Sequence, residues 1–174
     1  RAYDTDSFFI GNSSGATSTG AYNIGVGSNA LQSLTSGTSN IAMGYNSLSS
    51  LTTGAVNFGL GNNVLSNITS GSNNTGVGNQ VLSSATTNAS NNTAMGTFAL
   101  RNSTSGYGST AIGVGAGENT TTGANNTALG LGALWGNTTG ANNLALGRTA
   151  SFRDSQFNIN YTPGTITATG GTVT

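Results

Sequence analysis

The chain has 174 residues, 102 of them Gly, Thr, Asn or Ser, and only eight charges, four Arg against four acids, so its net charge is zero. With no His, no Cys and four scattered acids (Asp4, Asp6, Glu118, Asp154) it lacks the usual general bases, soft metal ligands and paired carboxylates, so no enzymatic activity, cofactor or metal is expected. A neutral chain has no field to hold a polyphosphate, which argues against nucleic acid, and no apolar run approaches the ~20 residues that cross a bilayer as a helix, so no membrane insertion is expected.

Composition alone also fits a flexible linker, but the order of the residues does not. Residues 1–19 open with a polar stretch whose start at Arg1 is expected to be that of a mature chain or a fragment. Ser7-Phe8-Phe9-Ile10-Gly11 then reads as a degenerate first coil. From residue 20 to 151 the chain repeats itself, with units beginning at Gly20, Gly37, Gly54, Gly71, Ala89, Gly106, Gly123 and Gly140. The period is 17, with one extra residue near Asn88. Seven positions into every unit stands glycine: Gly27, Gly44, Gly61, Gly78, Gly96, Gly113, Gly130 and Gly147. An aliphatic residue or Met precedes it (Val26, Met43, Leu60, Val77, Met95, Ile112, Leu129, Leu146), and before that Gly or Ala. Two positions further back runs a column of Asn: Asn23, Asn40, Asn57, Asn74, Asn92, Asn126 and Asn143, with Ser109 as the exception. After the glycine come a small residue and mostly Leu (Leu31, Leu48, Leu65, Leu82, Leu100, Leu134), a column that Gly117 and Ser151 break. Residues 152–174 leave the period. Gln156 to Tyr161 alternates, Pro163-Gly164 turns, and Thr165 to Thr169 follows as a second strand signal.

A 17-residue unit is too short for a helix pair and poor in helix formers, so the expected fold is all-β, a parallel β-solenoid of eight to nine coils with non-repeating strand ends. Each coil reads as two short strands, turned at the invariant glycine and at the Thr-Thr-Gly segment, where glycine supplies positive φ. Stacked ~4.8 Å apart, eight coils make a rod roughly 40 Å long, with like residues above like. The Asn column then forms a ladder of side-chain amides, its alternative being ordinary turn chemistry. The aliphatic residue and the Leu are expected to fill the core. The Gly/Ala column is expected on a face that packs against another chain, since so thin a core favours oligomerisation.

The segments Asn92-Thr93-Ala94-Met95-Gly96 with Ala99-Leu100, and Asn126-Thr127-Ala128-Leu129-Gly130 with Ala133-Leu134, are similar to the head repeats of YadA-like trimeric autotransporter adhesins and to the NTAxG repeats of some phage and algal-virus fibre proteins. The resemblance covers about residues 20–150. It implies a left-handed parallel β-roll with three chains side by side, on an extracellular appendage that attaches to a host-surface glycan or matrix protein, and it carries over no catalytic residue. The expected partner is therefore another copy of the chain, as a trimer or as an end-to-end filament.

The remaining features divide between cap and contact. Arg1, Asp4, Asp6, Arg148, Arg153 and Asp154 sit at the ends, where charge blocks strand edges, leaving Arg101 and Glu118 inside the rod. Phe157, Ile159, Tyr161 and Ile166 are candidates for an assembly strand, or for a cap on the chain's own rod. Trp135, the single Trp, either stacks on a sugar or packs at a chain interface. Gly113-x-Gly115-x-Gly117 recurs with the period and lacks the downstream acid of a dinucleotide site, and the coils lack the Asp of a calcium roll. The Thr column (Thr35, Thr52, Thr69, Thr86, Thr104, Thr121, Thr138) offers the alternative function, ice binding, although the glycines that follow place it in a turn.

Overall fold

A computed structural model describes residues 6–85, 89–150, 158–162 and 165–169. The extra residue near Asn88, Thr86 and Phe157 lie outside the described residues. The chain is a β-solenoid. Nine short strands, β1 (Phe8–Ile10), β2 (Ile24–Val26), β3 (Ile41–Met43), β4 (Phe58–Asn62), β5 (Thr75–Asn79), β6 (Thr93–Met95), β7 (Thr110–Ile112), β8 (Thr127–Leu129) and β9 (Leu144–Leu146), form one parallel sheet in sequence order. Like pairs with like: Ala94 stands opposite Ala111 and Met95 opposite Ile112. The degenerate first coil joins this sheet, with Phe8 opposite Ile24 and Gly11 at φ 130°. Two further strands, β10 (Asn158–Thr162) and β11 (Thr165–Thr169), pair antiparallel, with Tyr161 opposite Ile166 and Ile159 opposite Ala168.

Each coil holds one strand, not two. The segment after the glycine is a run of turns built on left-handed residues, in which the second residue past the glycine (Asn29, Asn46, Asn63, Gln80, Phe98) and the Leu two further on both have φ between 49° and 64°. Asn adopts this conformation readily; for Leu it costs about 1 kcal/mol, which complete burial of the side chain offsets. Gly117, which interrupts the Leu column, sits at φ 60°, and a Cβ there would fall 2.8 Å from Leu100 Cδ2. A third left-handed residue, such as Tyr22, Val56 or Asn125, precedes each rung of the Asn column. These bends close the coil within 17 residues.

The faces of the strand are the reverse of the expected ones. The central Gly or Ala points inward, fully buried at Ala94, while Met95 beside it is 40% exposed and Leu146 is 59% exposed. The Gly/Ala column is thus part of the chain's own core and is not available to another chain. Alternation fixes which residues share a face, and the buried Asn two positions before the Ala takes the Ala inside with it. The interior has no room for more. A Cβ on Gly76 would stand 2.6 Å from Val64 Cγ1, and one on Gly59 would stand 2.6 Å from Ser47 Oγ. The core is completed by the buried Leu column and by a further column seven residues past the glycine, absent from the sequence reading. That column runs Leu34, Leu51, Ile68, Ala85, Ser103, Thr120, Asn137, turning polar along the rod. At the N-terminal end Phe9 replaces the inward Ala and packs over the first core layer.

Candidate functional site

The glycine column holds the coil together by letting backbones touch. Gly96 at φ 117° and Gly130 at φ 128° occupy a region closed to side chains, and a Cβ on Gly96 would fall 2.7 Å from the carbonyl of Gly113 in the next coil. Gly27, Gly44, Gly61, Gly78, Gly113 and Gly147 share this conformation, with φ between 112° and 140°.

The Asn column is a continuous ladder inside the rod. Asn40 donates its backbone N–H and its Nδ2 to Asn23 Oδ1, at 2.9 and 3.1 Å, and Nδ2 donates its second proton to Gly54 O at 2.9 Å in the following coil. Asn57 repeats this onto Asn40 and Gly71, and Asn74 onto Asn57 and Ala89. Ser109 bridges the gap between Asn92 and Asn126, since its N–H reaches Asn92 Oδ1 at 3.0 Å and its Oγ accepts the Asn126 N–H at 3.1 Å. Asn143 ends the ladder on Asn126. Buried amides in this arrangement bind the chain to itself and offer nothing to a ligand.

What faces outward on the sheet is a stripe. Its two columns are Phe8, Ile24, Ile41, Phe58, Thr75, Thr93, Thr110, Thr127, Leu144 and Ile10, Val26, Met43, Leu60, Val77, Met95, Ile112, Leu129, Leu146. None of these 18 residues is charged, and 14 are apolar. The described residues of the Thr column lie elsewhere, in the turn, and several of their hydroxyls are engaged. Thr35 Oγ1 donates to Thr52 O at 2.9 Å, Thr52 Oγ1 to Thr69 O at 2.8 Å and Thr121 Oγ1 to Thr138 O at 3.0 Å. The side chains of the strand residues Ile159, Tyr161 and Ile166 lie outside the description, as does Phe157.

One group departs from the repeat. Arg101, Glu118 and Trp135 stand 17 residues apart, at the same position of three successive coils, and the fold stacks them. Arg101 Nη2 meets Glu118 Oε1 at 2.7 Å, Trp135 Nε1 donates to Glu118 Oε2 at 3.3 Å, and the guanidinium lies 4.6 Å from the centre of the Phe98 ring. The sequence sets Arg101 and Glu118 apart as the charges inside the rod and Trp135 by itself; their common spacing of 17 is the signal that joins all three. On the same edge, in the two coils before that of Arg101, an open cleft of about 340 Å³ is lined by Asn63, Ser66, Asn67, Gln80, Ser83 and Ser84.

Among the described residues no three His, Cys, Asp or Glu come together as metal ligands, and no helix is long and apolar enough to cross a membrane. No protein-family model, curated protein or solved structure matches the chain.

Proposed function

We propose that this chain is a non-enzymatic structural protein of an extracellular appendage, a rod that associates side by side with further copies of itself and serves surface attachment. The observation that carries the reading is the outward stripe. Nine strands present an uncharged, mostly apolar band in line on a rod whose core is thin, and contiguous exposed apolar surface of this kind marks an association site. The occupant is a second copy because the stripe repeats at the ~4.8 Å coil spacing, and a surface of the same period can match it along its whole length. Low charge suits the burial of such a band, since little has to be desolvated.

The test is the mass in solution by sedimentation, with Leu60→Asp, Met95→Asp and Ile112→Asp beside the parent. The parent is expected to sediment as an oligomer, a trimer for the adhesin-like arrangement, and the variants as monomers with unchanged circular dichroism. Deleting residues 155–174 distinguishes the filament, which loses its mass if the tail joins subunits, from the lateral oligomer, which keeps it. A parent that sediments as a stable monomer at all concentrations rules out the assembly.

A further inference from the structure

We infer that the Arg101–Glu118–Trp135 row is a carbohydrate-binding subsite, the end of a track along one edge of the rod that takes a β-linked chain of equatorially substituted pyranoses. The inference deepens the attachment reading and supplies it with a ligand class.

Three observations converge. The first is that the repeat changes its surface chemistry here. At the position of Trp135 the earlier coils carry Gln32, Ser49, Ser66 and Ser83, and at the position two residues past the invariant glycine the polar side chains Asn29, Asn46, Asn63 and Gln80 give way first to Phe98, whose ring the Arg101 guanidinium covers, and then to Gly115 and Gly132. Asn29 donates to Asn46 and Asn46 to Asn63, so the first three of these polar side chains form an outer ladder of their own. At Gly115 and Gly132 this edge of the rod carries no side chain.

The second is that Trp135 is fixed yet exposed. Its Nε1 is held by Glu118 Oε2 at 3.3 Å, and its Cδ1 lies 3.9 Å from the place a Cβ would take on Gly115, so the indole leans onto a glycine whose missing side chain makes the space. It remains 54% exposed. A side chain of this size held at one edge and open over the rest is a stacking platform. The negative face of an aromatic ring attracts the axial C–H bonds of a pyranose whose hydroxyls are all equatorial.

The third is the polar partner set. Glu118 uses one lone pair of each oxygen on Arg101 and Trp135 and keeps acceptor capacity, while Arg101 keeps donors beyond its contact with Glu118. Charge-assisted donors and acceptors side by side suit vicinal hydroxyls, which both donate and accept. The guanidinium is already neutralised at 2.7 Å, so the site has no net charge for an anionic ligand. The track continues on the same edge into the cleft of Ser66, Asn67, Ser83 and Ser84, uncharged amides and hydroxyls that suit further sugar units. From Ser66 to Trp135 is four coils, about 20 Å at the coil spacing, which is a run of several units rather than one.

Because Trp135 is the single Trp, its fluorescence reports the site directly. The full chain is titrated with cellotriose, chitotriose and methyl β-glucopyranoside. A saturable blue shift is expected with at least one trisaccharide, with half-saturation in the millimolar range or below, and about tenfold weaker with the monosaccharide, as few-atom ligands allow. Gly115→Asn inserts the side chain that earlier coils carry at a similar left-handed φ, its Cβ 3.3 Å from Glu118 Oε2, and is expected to abolish the shift with the circular dichroism of the coil stack kept. Should that variant fold poorly, Glu118→Gln, followed by fluorescence, and Trp135→Ser, followed by saturation-transfer magnetic resonance, must each weaken binding about tenfold. No saturable response to any of the three sugars, or a response that survives these substitutions, overturns the site. So does an emission maximum that shifts on dilution alone, which places Trp135 between copies of the chain. Sugar binding by a sedimenting monomer keeps the site and removes the assembly; an oligomer blind to all three sugars does the reverse.

Discussion

Asn143 donates its N–H and its Nδ2 to the Oδ1 of Asn126, at 2.9 and 3.0 Å, yet its own buried Oδ1 accepts no hydrogen bond among the described residues. It is the last rung of the ladder, and the rungs are unequal for that reason. Asn57 supports bonds on both sides, so Asn57→Ala leaves Gly71 O and the Asn74 N–H without partners, at about 2–4 kcal/mol. Asn143→Ala gives up one donor and costs about 1 kcal/mol. Urea denaturation of the two variants is expected to show this order, and equal costs would mean that the ladder is not what holds the coils.

A single charge tests the same ladder by pH. In Asn57→Asp the Nδ2 donors are lost and a second acceptor oxygen faces Gly71 O, so burial and the opposed carbonyl raise the carboxyl pKa in the folded state. The folded state then binds the proton more tightly than the unfolded one, and stability falls as the pH rises above about 4, the unfolded value. Among the described residues the parent has no fully buried carboxyl. Melting temperatures from pH 3 to 7 are expected to fall for the variant relative to the parent.

Position along the rod also grades the glycines. Gly96→Val places a β-branched side chain at φ 117° with its Cβ 2.7 Å from the next coil's backbone, which costs about 3 kcal/mol or more or prevents folding. Gly147 shares the φ, at 112°, but among the described residues a Cβ there meets nothing within 4 Å, so Gly147→Ala is expected to cost little more than the backbone strain, about 1–2 kcal/mol. Thermal melts of both variants check the difference.

The strand faces can be exchanged one residue at a time. Ala94→Leu adds volume where the core is closed and is expected to cost about 2–3 kcal/mol, while Met95→Ser on the outside leaves the coil within about 1 kcal/mol of the parent. If Met95→Ser unfolds the chain in a monomeric background, the outward assignment fails.

Ice assays complete the set. The hydroxyls of Thr35, Thr52 and Thr121 donate to carbonyls of the next coil and lie in turns, so thermal hysteresis at micromolar protein is expected to be absent. A clear positive abolished by Thr35→Tyr or Thr52→Tyr reverses this.

The period, the invariant glycines, the Asn column and the all-β solenoid were legible in the sequence, because each is a repeated local requirement. A backbone that touches its neighbour needs glycine in every coil, and a buried amide ladder needs Asn or a bridging Ser in every coil. The strand alternation also showed that Ala94 and Met95 face opposite ways. Which of them faces inward was decided only by the tertiary structure, because the aliphatic residue is the more apolar but the coil's interior is too narrow to hold it beside Val81, Leu82 and their equivalents. The same closure replaced the expected second strand by turns. A left-handed Leu is unfavourable locally, so nothing in the sequence announces it, and it exists because the coil must close within 17 residues with that side chain inside. The row of Arg101, Glu118 and Trp135 stands between these cases, since its spacing was in the sequence but its contacts required the stack.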